Sequence, residues 1–233
     1  MSKAMKGVIK RLRFPFDIML TCVRWYLAYA LSFRNLEEMM QERGVFVDHS
    51  TIHRWVIKLT PVLEEAFRKR KRKRGIGAVG KSWRIDETYI KIRGEDRYWY
   101  RAVDKQGNTV DFLLTAKRNR RTARRFFTRA VRNNRLPRIA NIDKSGANKA
   151  GIEDYNRKHR TNVTIRQCKF LNNIVEQDHR AVKRKTRPIL GFKEFRCTRI
   201  ILSGVETMHM IHKGQMLGGK NLSPAQQFYS LAA

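Results

Sequence analysis

Three acidic residues lie in settings that suit a site for divalent cations. Asp86 lies in a strand-like run, Asp143 ends the apolar segment 138–143, and Glu176 lies in a helix-like run. Carboxylate oxygens are ligands that Mg²⁺ and other hard cations prefer. Two such cations about 3.5–4 Å apart can clamp the attacking and leaving oxygens of a phosphodiester. The sequence therefore predicts a two-metal site for phosphoryl transfer, provided that these acids meet at one edge of a sheet.

Two neighbouring pairs of acids leave a choice of ligand. Side chains alternate between the faces of a strand, so Asp86 and Glu87 point in opposite directions and only one can reach the site. Asp86 is the predicted ligand and Glu87 the alternative. On the helix, Asp178 lies about 200° around the axis from Glu176, so it is a poor ligand if Glu176 is a good one.

Asp143 also has a simpler interpretation, since an acid at the end of a strand is often a turn former or a helix cap. The preceding Ile139 and Ile142 are typical of a buried strand. An acid at such a position needs a metal or a hydrogen-bond donor. The element order described below favours the metal.

The charge of the chain indicates an anionic partner. Its 233 residues include 51 Lys and Arg against 20 Asp and Glu, a formal charge of +31. Such a chain repels itself unless an anion offsets the charge, and strongly basic domains are typical of nucleic-acid binders. A membrane surface would call for a polybasic amphipathic helix or a lipidation motif, and the sequence has neither. We therefore expect DNA as the partner and no membrane.

Composition also limits the class of protein. A hydrophobic fraction of 42% is sufficient for packed cores, which excludes a disordered basic tail. Cys22, Cys168 and Cys197 are odd in number and far apart, which fits a reducing cytoplasm and not a disulfide framework. No Cys-x-x-Cys pair is present, so a zinc finger is not expected. Charged residues interrupt the N-terminal apolar stretches, so neither a signal peptide nor a membrane span is expected.

Residues 1–67 predict an all-α helix-turn-helix domain. Apolar residues recur at helical spacing from Pro15, Ser32 is a plausible N-cap of a second helix that ends at Gly44, and Asp48 or Ser50 can cap a third. In this motif the second helix of the pair enters the major groove of DNA. The alternative is a three-helix bundle whose polar face does not touch DNA. The residues predicted to contact DNA are Thr51, His53, Arg54 and Lys58.

A basic linker is predicted over residues 68–81. Residues 68–74 are an unbroken run of seven Lys and Arg, and glycines follow at 75, 77 and 80. Like charges repel and glycines add freedom, so the segment is interpreted as a tether. We expect Arg70, Lys71 and Arg72 to contact phosphates as well, although a solvated tether is the simpler alternative.

Residues 82–192 predict an α/β catalytic core, followed by a C-terminal helix and tail over 193–233. The predicted order is strand 83–93, strand 98–103, strand 109–114, helix 121–133, a strand that ends at Asp143, helix 148–159, strand 163–167 and helix 173–187. This is the order of the ribonuclease-H-like fold, integrase type. In that fold the acids come from the first strand, the end of the fourth strand and a later helix, where Asp86, Asp143 and Glu176 lie.

Two basic residues share the predicted helix face of Glu176. His179 and Lys183 follow it at spacings of three and seven residues. Both are predicted to contact DNA phosphate close to the metals. The alternative is a helix whose basic face is only solvated.

Several motifs in register resemble the DDE transposases of bacterial insertion-sequence family six. The motifs are WRIDETY (83–89), YRAVD (100–104), NIDK (141–144) and NNIVEQDH (172–179), with further likeness at 190–193, 204–206 and 213–215. The resemblance covers most of the chain. One departure is the segment 145–148, where close relatives are expected to carry a proline.

The resemblance implies a ribonuclease-H-like core whose DDE triad is Asp86, Asp143 and Glu176, with Lys183 as the basic residue that follows the glutamate. We expect two Mg²⁺ ions, with Mn²⁺ as a substitute, held jointly by Asp86 and singly by Asp143 and Glu176. The implied function is a DNA transposase that binds terminal inverted repeats, nicks the 3′ ends and joins them to target DNA. A homo-oligomer, with a dimer favoured, in the bacterial cytoplasm at the nucleoid is expected. The alternatives are an inactive DNA-binding regulator and another ribonuclease-H-like nuclease.

Overall fold

The computed structural model of the protein describes residues 13–71, 78–144, 146–168, 173–189, 191–219 and 221–233, together with Met5 and Gly7. In chain order the elements are α1 (Phe16–Ala28), α2 (Phe33–Gln41), α3 (His49–Arg70), β1 (Ser82–Ile92), β2 (Glu95–Asp104), β3 (Thr109–Thr115), α4 (Arg120–Asn133), β4 (Ile139–Ile142), α5 (Gly146–His159), β5 (Thr164–Gln167), α6 (Asn173–Thr186), α7 (Phe195–His212) and α8 (Pro224–Ser230). They divide into a helical unit, residues 1–71 with 182–233, and a sheet unit, residues 72–181.

The sheet unit is built on one mixed sheet in the order β3-β2-β1-β4-β5. β1, β2 and β3 are antiparallel neighbours, whereas β4 lies parallel to β1 and β5 parallel to β4. The β1–β2 hairpin turns at Arg93 and Gly94, whose φ angles of 52° and 80° match the two-residue turns that follow the twist of a hairpin. The element order predicted from the sequence is confirmed, and with it the ribonuclease-H-like fold class.

One face of the sheet carries the main core. Trp83 and Ile85 of β1 and Tyr100 of β2 pack against Phe126 and Phe127 of α4 and against α5. Side chains alternate, so this face of β1 also includes Glu87, and the opposite face carries Arg84 and Asp86. α4 and α5 approach closely at Gly151, where an added Cβ would lie 2.7 Å from the backbone nitrogen of Arg124. Only glycine fits this crossing without moving a helix.

The helical unit contains the three helices predicted at the N-terminus. Ser32 and Asn35 form a reciprocal capping box at the start of α2, and Gly44 follows that helix with a φ of +72°. Asp48, one of the two predicted caps, accepts a hydrogen bond from the backbone nitrogen of Ser50 at 2.8 Å. The buried side of α3 includes the predicted Ile52, Val56 and Leu59, which pack in the core of this unit. α7 and α1 also pack against α3.

Two predicted boundaries differ from the structure. α3 continues through Pro61 to Arg70, so residues 68–70 are helical and not part of a linker. Lys71 then forms a β-bridge with Met216. The C-terminal elements after residue 181 also group with the N-terminal helices instead of forming a separate tail. The rest of the basic run, 72–74, lies outside the described residues.

None of the helices in the described ranges is long and apolar enough to cross a membrane.

Candidate active site

Asp143 follows the carboxyl end of β4, level with Asp86 in the middle of the adjacent parallel strand β1. β4 pairs with β1 only from Ser82 to Ile85, so the half of β1 that begins at Asp86 continues beyond the end of β4. Asp143 directly follows Ile142, the last residue of β4. Sequence-distant acids therefore meet at one edge of the sheet, as the site requires. We call residues 86–92 of β1 the β1 overhang.

A buried ion pair holds the start of α6 on the face of the sheet that carries Asp86. Arg101 lies directly opposite Asp86 in the β1–β2 register. Its guanidinium donates to the Asp178 carboxylate at 2.6 Å, and their side chains are 0% and 8% exposed. Asp178 lies two residues after Glu176, so this pair anchors the part of α6 that carries Glu176. The expectation that Asp178 is a poor metal ligand agrees with its engagement by Arg101.

The negative charges of three other acids act on Asp86. Its pKa is raised from 3.8 to about 7, mainly by burial and in smaller part by the charges of Glu87, Asp143 and Glu176. The Asp86 side chain is 16% exposed, whereas that of Asp143 is 37% exposed. A partly buried group of acids that repel each other suits a cationic ligand.

Glu87 has protein partners on the opposite face of β1. The side-chain nitrogen of Asn148, on α5, donates to its carboxylate at 2.7 Å, and Arg118 forms an ion pair with it. Burial raises the pKa of Glu87, while the hydrogen bond from Asn148 and the charge of Arg118 oppose that rise. The arrangement favours Asp86 over Glu87 as the metal ligand, because the Glu87 carboxylate already has Asn148 and Arg118 as partners.

Arg118 is a residue of the site that the sequence did not reveal. It lies in the loop between β3 and α4, and its guanidinium also lies 3.8 Å from the Asp143 carboxylate. The only feature of the sequence that points to it is its position in the short connection between β3 and α4. Since the chain has dozens of basic residues, that signal does not single it out.

His179 differs from its prediction as a surface phosphate contact. Its Nδ1 lies 3.9 Å from an Asp86 oxygen, and its side chain is only 7% exposed. His179 lies with Val175, Asp178 and Val182 on the buried side of α6, so its ring packs beside Asp86, whereas Glu176 is exposed. Lys183, later on the same helix, is exposed as expected.

The donor set fits divalent cations of the magnesium type. All three predicted ligands are carboxylates, which are hard oxygen donors. Within the described parts of the chain, the one His and acid cluster with ligand atoms all within 4.8 Å of each other is Glu37, Asp48 and His49, on the helical unit.

The predicted DNA contacts of α3 divide into two groups. Arg54 and Lys58 are exposed, whereas Thr51 and His53 are half-buried. Arg54 donates to the Thr51 hydroxyl at 2.8 Å, and the His53 ring packs edge-on against Phe33 at 5.2 Å between centroids. Burial lowers the pKa of His53. Arg54 and Lys58 are therefore the members of this set with open surface.

The prediction that Arg70 and Lys71 contact phosphates is corrected by the structure, because both residues pack within the helical unit. Arg70 donates to the backbone carbonyl of Ser230 at 3.0 Å, and Lys71 is only 8% exposed. Both are used within the helical unit, because α3 extends far enough to bring them against the C-terminal residues. Arg72 lies outside the described residues.

The fold and the site together define a class: a ribonuclease-H-like polynucleotidyl transferase with acids on β1, after β4 and on α6. Residues 80–215 match a family model described as a DDE domain. The chain is 35% identical over 206 residues to the transposase for insertion sequence-like element IS431mec of Staphylococcus aureus, covering 86% of this chain and 87% of that protein. The same values apply to the Staphylococcus aureus transposase for insertion sequence element IS257 in transposon Tn4003. The protein belongs to the DDE transposases of insertion-sequence family six.

Solved structures give a more distant likeness. The HTLV-2 integrase catalytic core domain in complex with magnesium, in its dimeric form, is 16% identical with a TM-score of 0.44, over 57% of this chain and 88% of that chain. The trimeric form is 14% identical with a TM-score of 0.45, over 69% of this chain and 100% of that chain. The family assignment rests on the sequence relatives.

Proposed function

We propose that the protein binds the terminal inverted repeats of its own insertion sequence, nicks the 3′ ends and joins them to target DNA. The observation that supports this best is the meeting of Asp86 of β1 with Asp143 at the end of the adjacent strand β4, with the charge of Glu176 acting on Asp86. This is the carboxylate arrangement that a metal-dependent phosphoryl transfer needs. Membership of a transposase family indicates DNA as the substrate.

We assign Asp86, Asp143 and Glu176 as the ligands of two Mg²⁺ ions, for which Mn²⁺ should substitute. Asp86 is the candidate to hold both ions, because the charges of the other two acids act on it. When bound, the ions supply Lewis acidity and orient the attacking and leaving oxygens in line. With the ions bound, the carboxylates would act as ionised ligands and would form no covalent bond to DNA. The same three acids can therefore serve nicking, with water as the nucleophile, and joining, with the freed 3′-OH.

The DNA contacts are proposed to divide between the two units. Arg54 and Lys58 are exposed on α3, where a helix-turn-helix presents residues to the major groove. Arg54 can read base edges, and Lys58, one turn later, can contact phosphate. Lys183 is proposed to hold a phosphate that flanks the scissile bond. The partners are thus double-stranded element ends and target DNA, and further copies of the chain that bring two ends together.

The test is a nicking and strand-transfer assay with duplexes that carry the element's own ends and Mg²⁺. Asp86→Asn, Asp143→Asn and Glu176→Gln should each abolish both products while end binding, measured by gel shift, is retained. Glu87→Gln is the matched control, since it lies next to Asp86 on the other face, and it should keep activity. Binding without nicking by the unaltered protein would instead indicate a regulator. If Asp86→Asn stayed active and Glu87→Gln did not, the assignment of Asp86 would be wrong and the ligand would lie on the other face of β1.

A further inference from the structure

The β1 overhang carries an aromatic side chain that the fold leaves open. Tyr89 is 51% exposed, although most large apolar side chains in the described ranges are buried. It lies directly opposite Tyr98 in the β1–β2 register, and the two rings are tilted by 54° with their centroids 5.4 Å apart. Tyr98 packs against the core of the sheet unit, so it supports the Tyr89 ring from one side. The result is a fixed ring with free surface.

A cation pairs with the acid that precedes this ring on the same face of β1. Tyr89 is on the same face of β1 as Glu87, about 7 Å further along the strand. Arg118 pairs with Glu87 and approaches Asp143. A third of its side chain is exposed.

The loop that carries this cation is attached to the same strand pair. The Thr115 hydroxyl lies 3.3 Å from the backbone carbonyl of Tyr98 and 3.1 Å from that of Lys117. These contacts tie the segment before Arg118 to β2, directly next to the supporting ring. Ring and guanidinium are therefore held by neighbouring parts of one sheet, at the edge where Asp143 lies.

An open aromatic ring next to a guanidinium matches the chemistry of a nucleotide. Bases of single strands stack on aromatic side chains with little regard to sequence, while cations hold the backbone. A base within a duplex has both faces covered by its neighbours, so the ring can accept only a base that has left the stack. The strongly positive charge of the chain favours nucleic acid over a protein segment at this surface.

We propose that Tyr89, supported by Tyr98 and joined by Arg118, forms a subsite for one unpaired nucleotide next to the scissile phosphodiester of the element end. The ring stacks on the base and the guanidinium contacts its phosphate. Withdrawing this nucleotide from the duplex anchors the end while the acids act on the adjacent bond. The inference rests on the proposed function, because it requires DNA at the site.

The test combines ring variants with DNA that lacks one base at a time. Nicking rates of the full chain in Mg²⁺ are measured for Tyr89→Ala and Tyr89→Phe, on intact ends and on ends with a single abasic nucleotide at each position around the cleavage site. Tyr29→Ala is the matched control, since Tyr29 is a tyrosine of the helical unit with 50% exposure. Gel filtration of each variant records its oligomeric state.

Tyr89→Ala should slow nicking about 5- to 150-fold, the range for loss of one stacked base, while Tyr89→Phe and Tyr29→Ala stay within about twofold of the unaltered protein. One abasic position should slow the unaltered protein by a similar factor and have little further effect on Tyr89→Ala. Such coupling identifies the base that meets the ring.

Three results would overturn the subsite. The nicking rate of Tyr89→Ala could equal that of Tyr29→Ala. The loss of rate in Tyr89→Ala could multiply with the loss caused by every abasic position. Tyr89→Ala could also change the oligomeric state, which would make Tyr89 a contact between protein chains. Each of these leaves nicking by the unaltered protein intact. Failure of the unaltered protein to nick any end would instead reject the proposed function, and the subsite with it.

Discussion

Replacing Asp178 with asparagine should weaken the sheet unit and raise the metal concentration that it needs. The substitution leaves the guanidinium of Arg101, which is fully buried, without a counter-charge at the 2.6 Å contact. Removing one partner of a buried ion pair typically costs about 3–5 kcal/mol. Asparagine can still accept a hydrogen bond, so we expect the lower end, about 3 kcal/mol. That loss corresponds to a fall in Tm of about 6–12 °C for a chain of this size.

The effect on metal binding follows from the position of Asp178 on α6. It lies two residues after Glu176, which is about 3 Å along the helix axis. A helix released from Arg101 moves Glu176 relative to Asp86, and misplacement by about 1 Å can cost on the order of 100-fold in rate. Asp178→Asn should therefore nick slowly at low Mg²⁺ and recover part of its rate at high Mg²⁺. Binding to element ends should be unchanged.

The assay pairs urea unfolding, followed by circular dichroism, with nicking rates over a Mg²⁺ titration. Asp111→Asn is the control, because Asp111 is a buried acid of β3 that pairs with Arg129 at 3.2 Å on the opposite face of the sheet from Asp86. It should lose stability without any change in its Mg²⁺ requirement. If Asp178→Asn loses less than about 1 kcal/mol, or if both variants shift the Mg²⁺ titration equally, the pair does not position Glu176.

Further predictions concern charge and DNA. In chelator, the raised pKa of Asp86 means that its ionisation opposes folding, so stability should fall as pH rises from about 4 to 7. Urea unfolding at pH 8 should then show Asp86→Asn to be more stable by up to about 4 kcal/mol, with no gain below pH 4. Arg54→Ala should weaken binding to the terminal repeat about 5- to 150-fold more than to random duplex, measured by gel shift, because a base-edge contact carries discrimination; equal losses would exclude α3 as the reader. Lys183→Ala should slow strand transfer while Lys183→Arg retains it, and Arg184→Ala, about 100° around the helix, serves as the control; equal small effects of both alanine variants would leave α6 only a solvated basic helix.

The part of the site that local patterns determine could be predicted from the sequence. The alternation of β1 separates Asp86 from Glu87, and the apolar run before Asp143 identifies the end of a strand. Helical spacing likewise places Asp178 away from Glu176. Each of these inferences needs only the period of one element, and the period is carried by neighbouring residues.

Features that depend on which element packs where could not be predicted. His179 was expected on an open face with Glu176 and Lys183, but it is buried while they are exposed, and this depends on how α6 lies on the sheet. Lys71 follows a run that looks solvated, yet it is buried because α3 is longer than its cap signals suggest. Arg118 becomes a neighbour of Asp143 only through the folding of the loop after β3. In each case the deciding contact is distant in sequence.

The close crossing of α4 and α5 has a consequence for genetics. A side chain at position 151 would have to displace α5, since its Cβ would meet the backbone of Arg124 at 2.7 Å. α5 begins three residues after Asp143 and supplies the Asn148 amide that holds Glu87. In a random-mutagenesis screen scored by transposition, Gly151 should therefore be as intolerant as the acids themselves. Intolerance to substitution in this family can thus mark a residue that performs no chemistry. Its small size only allows two helices beside the site to pack closely.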